Sequence, residues 1–273
     1  MRGMSDSVRQ DPAAAAGFAA LHRAGDPLVL PNAWDHASAC LLAARGFPAI
    51  GTTSLGVAAA AGVPDGTSAT REETLRLALA LGSEPFLLSV DAEGGFSDDP
   101  DEVAAFAREL AAVGAVGINL EDGRGPVRRH AAKIAAVKSA APGLFVNART
   151  DTFWLGDGDG EAGLGATLRR LDAYQEAGAD GVFVPGLTDA GRIAALVDAL
   201  DVPLNILYSP TGPPLPHLTD LGVRRISVGS LLYRRALGAA VEAMADVRAG
   251  REAAGAAPTY AEVRALGEGR GEG

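Results

Sequence analysis

The stretch Phe86-Leu87-Leu88-Ser89-Val90-Asp91-Ala92-Glu93-Gly94-Gly95 decides the fold. A short run, apolar but for one serine, reads as a strand buried on both faces, and it ends on two carboxylates followed by paired glycines. The layout recurs further along the chain. Val116-Gly117-Ile118-Asn119-Leu120 runs into Glu121-Asp122, and Leu144-Phe145-Val146-Asn147 into Ala148-Arg149. Similar runs lie at 28–30, 49–53, 181–184, 203–207 and 225–228. Segments 71–81, 100–113, 130–140, 166–177, 190–200 and 231–248 carry apolar residues at helical spacing between them. Strand starts at 28, 49, 86, 116, 144, 181, 203 and 225 are 21, 37, 30, 28, 37, 22 and 22 residues apart. Eight alternations of this length predict an α/β protein, a (β/α)8 TIM barrel. An open doubly wound sheet, the alternative, favours a Gly-rich turn after its first strand. Here Pro31-Asn32-Ala33-Trp34 follows instead. The barrel is expected to occupy 1–273 as one domain, with a core over about 15–250 and a C-terminal helix and frayed tail at 251–273. Thr259 and Glu262 have capping-box spacing in that last helix.

Composition narrows the function. With 48% hydrophobic and 21% charged residues the chain is an ordinary globular protein, which excludes disorder, collagen and coiled coil. A net charge of −10 lacks the basic footprint of a nucleic-acid binder. Cys40 is the sole cysteine, so no intrachain disulfide is expected and a reducing, cytoplasmic location is. Residues 1–21 lack the charged-then-apolar layout of a secretory signal, and no apolar stretch reaches the roughly 20 residues of a membrane helix. Lys133 and Lys138, the only lysines, share a helical stretch, which disfavours Schiff-base chemistry. Asp157-Gly158-Asp159-Gly160 reads as a turn-rich loop, because it lacks the closing glutamate of a calcium loop.

Barrel enzymes carry their chemistry at the C-terminal strand ends. Polar residues gather there: Asn32, Trp34 and Asp35; Thr52, Thr53 and Ser54; Asp91 and Glu93; Asn119, Glu121 and Asp122; Asn147, Arg149 and Asp151; Asn205 and Tyr208. Carboxylates this close cannot all stay ionised without a cation. Oxygen ligands suit Mg²⁺, with Mn²⁺ as the alternative, and Mg²⁺ keeps waters while taking one or two carboxylates directly. Asp91 is the expected direct ligand, with Glu93 and Glu121 holding metal-bound waters. The plainer reading caps helices with these acids, or pairs them with Arg124, Arg128 and Arg129. Arg149 would face a substrate carboxylate or developing enolate oxygen. Its plainer reading is a salt bridge to Asp151 or Asp122. Trp34 is a candidate substrate-binding residue, and its plainer reading is packing between the first helix and the barrel rim.

These motifs, with Gly51-Thr52-Thr53-Ser54-Leu55-Gly56-Val57-Ala58, Pro64-Asp65-Gly66 and Asn147-Ala148-Arg149-Thr150-Asp151, resemble the isocitrate lyase / phosphoenolpyruvate mutase superfamily. The match runs from about Leu28 to Arg235. The resemblance implies a barrel whose eighth helix is exchanged within a homodimer or homotetramer, and Mg²⁺ holding a small 2-oxo acid or its enolate. It implies Asp91 as metal aspartate, Glu93 and Glu121 as outer-sphere acids and Arg149 as substrate arginine. It further implies Thr53, Ser54 and Leu55 as the oxyanion loop, Asp65 as a functional aspartate in a mobile segment, and Asn205 as a carboxylate-binding residue.

Departures set the subclass. The Cys-bearing loop of isocitrate and methylisocitrate lyases is replaced by residues 121–130, short and without Cys, and their strand-six glutamate gives way to Val184-Pro185-Gly186. The mutases' Lys- and Asn-containing gating loop is also absent. The shared core that remains suits a carbon–carbon lyase or decarboxylase of an oxaloacetate- or 2-oxoglutarate-like acid. Carbon–phosphorus chemistry of the phosphonopyruvate or carboxyphosphonoenolpyruvate type is one alternative. A sensor that binds a 2-oxo acid without turnover is the other.

Overall fold

The computed structural model describes residues 11–156 and 161–268. The loop at 157–160, residues 1–10 and the tail beyond 268, each read above from sequence, lie outside that range. Nine described strands form one parallel sheet: β1 (Leu28–Leu30), β2 (Asn32–Ala33), β3 (Ala49–Thr52), β4 (Leu87–Asp91), β5 (Ala115–Glu121), β6 (Phe145–Arg149), β7 (Gly181–Val184), β8 (Leu204–Leu207) and β9 (Arg225–Ser227). The ninth arises because the first expected strand is split. Pro31 has no N–H to give to a ladder, and there the chain changes neighbour: β1 pairs with β9 and β2 with β3. One interrupted strand thus joins both edges of the sheet and closes the barrel.

The helices are α1 (Pro12–Leu21), α2 (His36–Ala44), α3 (Ser54–Ala61), α4 (Arg71–Leu81), α5 (Pro100–Ala112), α6 (Val127–Ala140), α7 (Glu161–Glu176), α8 (Ala190–Ala199), α9 (Leu215–Asp220), α10 (Leu231–Arg248) and α11 (Tyr260–Glu268). None among the described residues is long and apolar enough to cross a membrane. Alternation along each strand divides the core. Ile50, Leu88, Val90, Ile118, Leu120, Val146, Val182 and Val184 face outward onto helix residues such as Phe106, Leu110, Ile134, Val137, Leu171 and Leu196. The intervening positions, Ser89, Asp91, Asn119, Glu121, Asn147 and Arg149, are left to the barrel interior.

Asp11 caps α1, accepting from the Ala13 N–H at 2.9 Å, with Pro12 pre-set for the first turn. This helix plugs the N-terminal end of the barrel, where Phe18 packs with Leu28, Leu30, Ala49, Val116 and Phe145. Gly117 makes room for the plug, since a Cβ there would sit 2.7 Å from the Phe18 ring. The closed lower end leaves the strand C-termini as the open face.

Candidate active site

That face holds a cavity of about 640 Å³. Of the residues singled out from sequence, Asn32, Thr53, Ser54, Leu55, Asp65, Asp91, Asn119, Arg149 and Tyr208 line it. Residues 53–55 form a helix start rather than an open loop: Thr53 is the N-cap of α3 and Ser54 begins it. Asp91 ends β4, and its own N–H donates to Thr52 Oγ1 at 2.8 Å. Its carboxylate accepts the Ser54 N–H at 3.1 Å, so the start of α3 holds one oxygen in place. Asp65 is raised above the ordinary carboxyl value by burial and by the charge of Asp91, against a hydrogen bond from the Ser54 side chain.

Glu93 takes a left-handed backbone, φ 46°, which is uncommon for a residue with a side chain. The turn buries its carboxylate against the Thr70 hydroxyl, with the Ser68 N–H at 3.4 Å. Glu93 therefore stands behind the cavity wall. Burial raises it above the ordinary value, opposed by Thr70 and reinforced by Asp91.

Glu121 and Arg149 are register partners on β5 and β6, and Arg149 Nη1 lies 2.7 Å from Glu121 Oε2. Arg149 Nε donates to Asp151 Oδ1 at 2.7 Å. The plainer expectation for Arg149, a bridge to Asp151, is thus met while the residue still lines the cavity. Its guanidinium carbon stands 5.8 Å from the centre of the Phe183 ring. Burial pushes Glu121 up to about 8, opposed by Arg149 and reinforced by Asp91, Asp151 and Glu93.

Asp122, grouped from sequence with these acids, points the other way. It accepts from Thr150 Oγ1 at 2.8 Å, Tyr174 OH at 2.7 Å, Arg170 Nη1 at 2.9 Å, and the N–H groups of Arg124 and Asp151 at 2.8 and 3.1 Å. Burial alone would raise it, and these donors hold it below the ordinary value instead. Arg170 also donates to the Gly125 carbonyl at 2.9 Å, so the short turn after β5 is clamped to α7. Arg129 reaches Asp98 at 2.7 Å rather than the acid cluster.

Trp34 packs edge-on against Tyr233 at 5.4 Å, the plainer of its two readings, and does not line the cavity. Asn205 is the second residue of β8, one layer below the rim, and donates to Ser227 Oγ at 3.0 Å; Leu207 takes the rim position. Sequence reasoning missed Trp154, Phe183 and Arg234, which line the cavity. Trp154 is brought over by Gly186, whose φ is 83° and where a Cβ would sit 2.9 Å from the Phe153 carbonyl oxygen.

A family model described as phosphoenolpyruvate phosphomutase matches residues 18–248. The chain belongs to that family. This phosphomutase-family chain is accordingly an enzyme of the isocitrate lyase / phosphoenolpyruvate mutase superfamily, as its motifs suggested. An uncharacterized protein of Mycobacterium tuberculosis is 43% identical over 252 residues, covering 91% of this chain and 95% of that one. The 2-methylisocitrate lyase of Bacillus subtilis is 32% identical over 70% of this chain and 65% of its own. A structure of phosphonopyruvate hydrolase in complex with oxalate and Mg²⁺ superposes with TM-score 0.80 at 26% identity, covering 94% of this chain and 96% of that one.

Proposed function

We propose that this enzyme is a divalent-cation-dependent carbon–carbon lyase or decarboxylase acting on a small 2-oxo mono- or dicarboxylic acid through an enolate. One observation carries the reading. Arg149, pinned by Glu121 and Asp151, lines the same cavity as Asp91 and the start of α3. A fixed guanidinium facing the reacting group stabilises enolate charge without reorganising. Asp65, lining the cavity and raised above the ordinary carboxyl value, is the side chain that would hold a proton for the product carbon.

The donor set fits a hard cation. Asp65, Glu93, Glu121 and Asp151 are all raised by burial, and repulsion from neighbouring acids adds to each; a divalent ion relieves that repulsion. Asp91 would hold Mg²⁺ or Mn²⁺ directly, with Glu93 and Glu121 at one remove. When bound, that ion supplies Lewis-acid charge to the oxygens of the 2-oxo acid. Without a cation, burial holds Glu121 well above the ordinary carboxyl value, so a fraction of it carries a proton at about pH 7. Mg²⁺ binding at that pH should therefore release up to about one proton per site. The apparent enthalpy of Mg²⁺ titration in buffers of different ionisation heat measures this. A buffer-independent enthalpy would remove Glu121 from the metal site.

Titrating oxalate, a stand-in for the enolate of a 2-oxo acid, tests the whole reading. Micromolar binding with Mg²⁺ and none with EDTA is expected; binding indifferent to the cation would contradict it. A second reading, carbon–phosphorus cleavage, is favoured by the family model and by the likeness to phosphonopyruvate hydrolase. Incubation with phosphonopyruvate separates the two, since that reading requires phosphate or a rearranged phosphoenol product. A ligand bound yet recovered unchanged would favour the sensor.

We also propose a homodimer or homotetramer. Leu237, Val241 and Met244 are 51%, 71% and 65% exposed on α10, spaced as one helical stripe. α10 follows the eighth strand of the barrel, so it is the helix whose exchange the resemblance implies, and docking on a partner's barrel would bury the stripe. Val241→Asp should shift the protein toward monomer in sedimentation; an unchanged mass would count against this interface.

A further inference from the structure

Barrel interiors are ordinarily filled by Val, Ile and Leu. Here Asn119, Asn147, Asn205, Arg225 and Ser227 are buried side by side at the cavity floor, none more than 6% exposed. Arg225 is register partner to Asn205 and makes no ion pair among the described residues. Its Nε donates to Ser227 Oγ at 3.2 Å and its Nη2 to Asn119 Oδ1 at 3.0 Å. Nη1 has no partner among the described protein atoms. Burial drives the guanidinium down to about 9, opposed by the charge of Asp91. Packing alone would be served as well by an apolar side chain, because burying a charge carries a desolvation penalty.

What Arg225 changes is the polarity of two residues that do line the cavity. A guanidinium can only donate. Asn119 Oδ1 accepts from Arg225 and from Asn147 Nδ2 at 2.9 Å, which leaves the Asn119 amide N–H groups for the cavity. Ser227 Oγ accepts from Arg225 and from Asn205 Nδ2 at 3.0 Å, so both lone pairs are used. Its O–H is left to donate, and Ser227 lines the cavity.

We propose that Arg225 is a positioning residue that leaves the donors of Ser227 and Asn119 for the cavity, where they bind a carboxylate of the substrate distinct from the oxygens facing Arg149. This rests on the 2-oxo acid reading of the site and deepens it. Two fixed cations at different depths, Arg149 in the lining and Arg225 beneath, match a dicarboxylate better than a monocarboxylate.

Calorimetry with Mg²⁺ on the full-length protein tests it, using 2-oxoglutarate as dicarboxylate and pyruvate as monocarboxylate. Ser227→Ala, which removes only the hydroxyl, should weaken 2-oxoglutarate by at least about tenfold and pyruvate by less than about twofold. Arg225→Met should do the same where thermal melting shows it folded, and Arg225→Lys should fall between. A purely structural Arg225 would weaken both acids alike or neither. An unchanged ratio of the two affinities in Ser227→Ala overturns the proposal even if Arg225→Met does not fold. If neither acid binds the wild-type protein, the 2-oxo acid reading falls first and takes this inference with it.

Discussion

Arg149→Ala should lower turnover of the 2-oxo acid by about 10²–10³-fold, the effect of removing one preorganised oxyanion donor. The residue is rigid before substrate arrives, held at 2.7 Å by Glu121 on one arm and by Asp151 on the other. Substitution would also leave both acids without their counter-charge, pushing them further above the ordinary carboxyl value. Arg149→Lys keeps a charge but not the fork, and should recover only part of the loss. Steady-state kinetics with a melting curve as folding control measure this. Wild-type kcat in folded Arg149→Ala would remove the residue from the chemistry.

Asp122→Ala should be among the most destabilising single changes in the chain, at about 3–5 kcal/mol, because it strands the buried Thr150 and Tyr174 hydroxyls and the half-buried Arg170 guanidinium. At about 2–4 °C per kcal/mol for a protein of this size, Tm should fall by about 6–20 °C. The pH dependence has a definite sign. Asp122 is held below its ordinary value of 3.8, so its contribution is complete above that value and is lost as pH falls through the folded-state value. The gap between wild type and variant should thus narrow in acid. A gap that widens below about pH 4 would contradict the assignment of Asp122 as an ionised hub.

The contrast between Asp122 and its neighbour shows what the sequence could tell. Alternation along a strand sends consecutive side chains to opposite faces. With Asn119 inside, Glu121 had to point in and Asp122 out. The parity was legible; the Arg170–Tyr174 receptor on α7, 48 and 52 residues away, was not. Barrel, strand ends and the placement of Asp91 and Arg149 were readable because buried parallel strands are continuous apolar runs that stop at polar residues.

Other positions depended on geometry without a sequence period. The left-handed backbone at Glu93 turns its acid toward Thr70, although two-residue spacing from Asp91 suggested a shared face. Asn205 sits one layer deeper than a strand-end reading placed it, and Trp34 is taken by Tyr233, which lies 199 residues later in the chain. Arg225 did carry a signal: a charged residue at the same parity as Ser227 in an otherwise apolar run.

The most direct test of the central claim is a thermal-shift series with oxaloacetate, 2-oxoglutarate, pyruvate, phosphonopyruvate and methylisocitrate, each with Mg²⁺ or EDTA, following product in the same samples against protein-free controls. A 2-oxo acid at about 100 times its Kd should stabilise the enzyme by about 2.7 kcal/mol. The account predicts such a shift only with Mg²⁺, accompanied by a carbon–carbon cleavage product above the protein-free rate. No shift with any of these acids would mean that the barrel is retained without the site, and the roles given to Asp91 and Arg149 would have to be withdrawn.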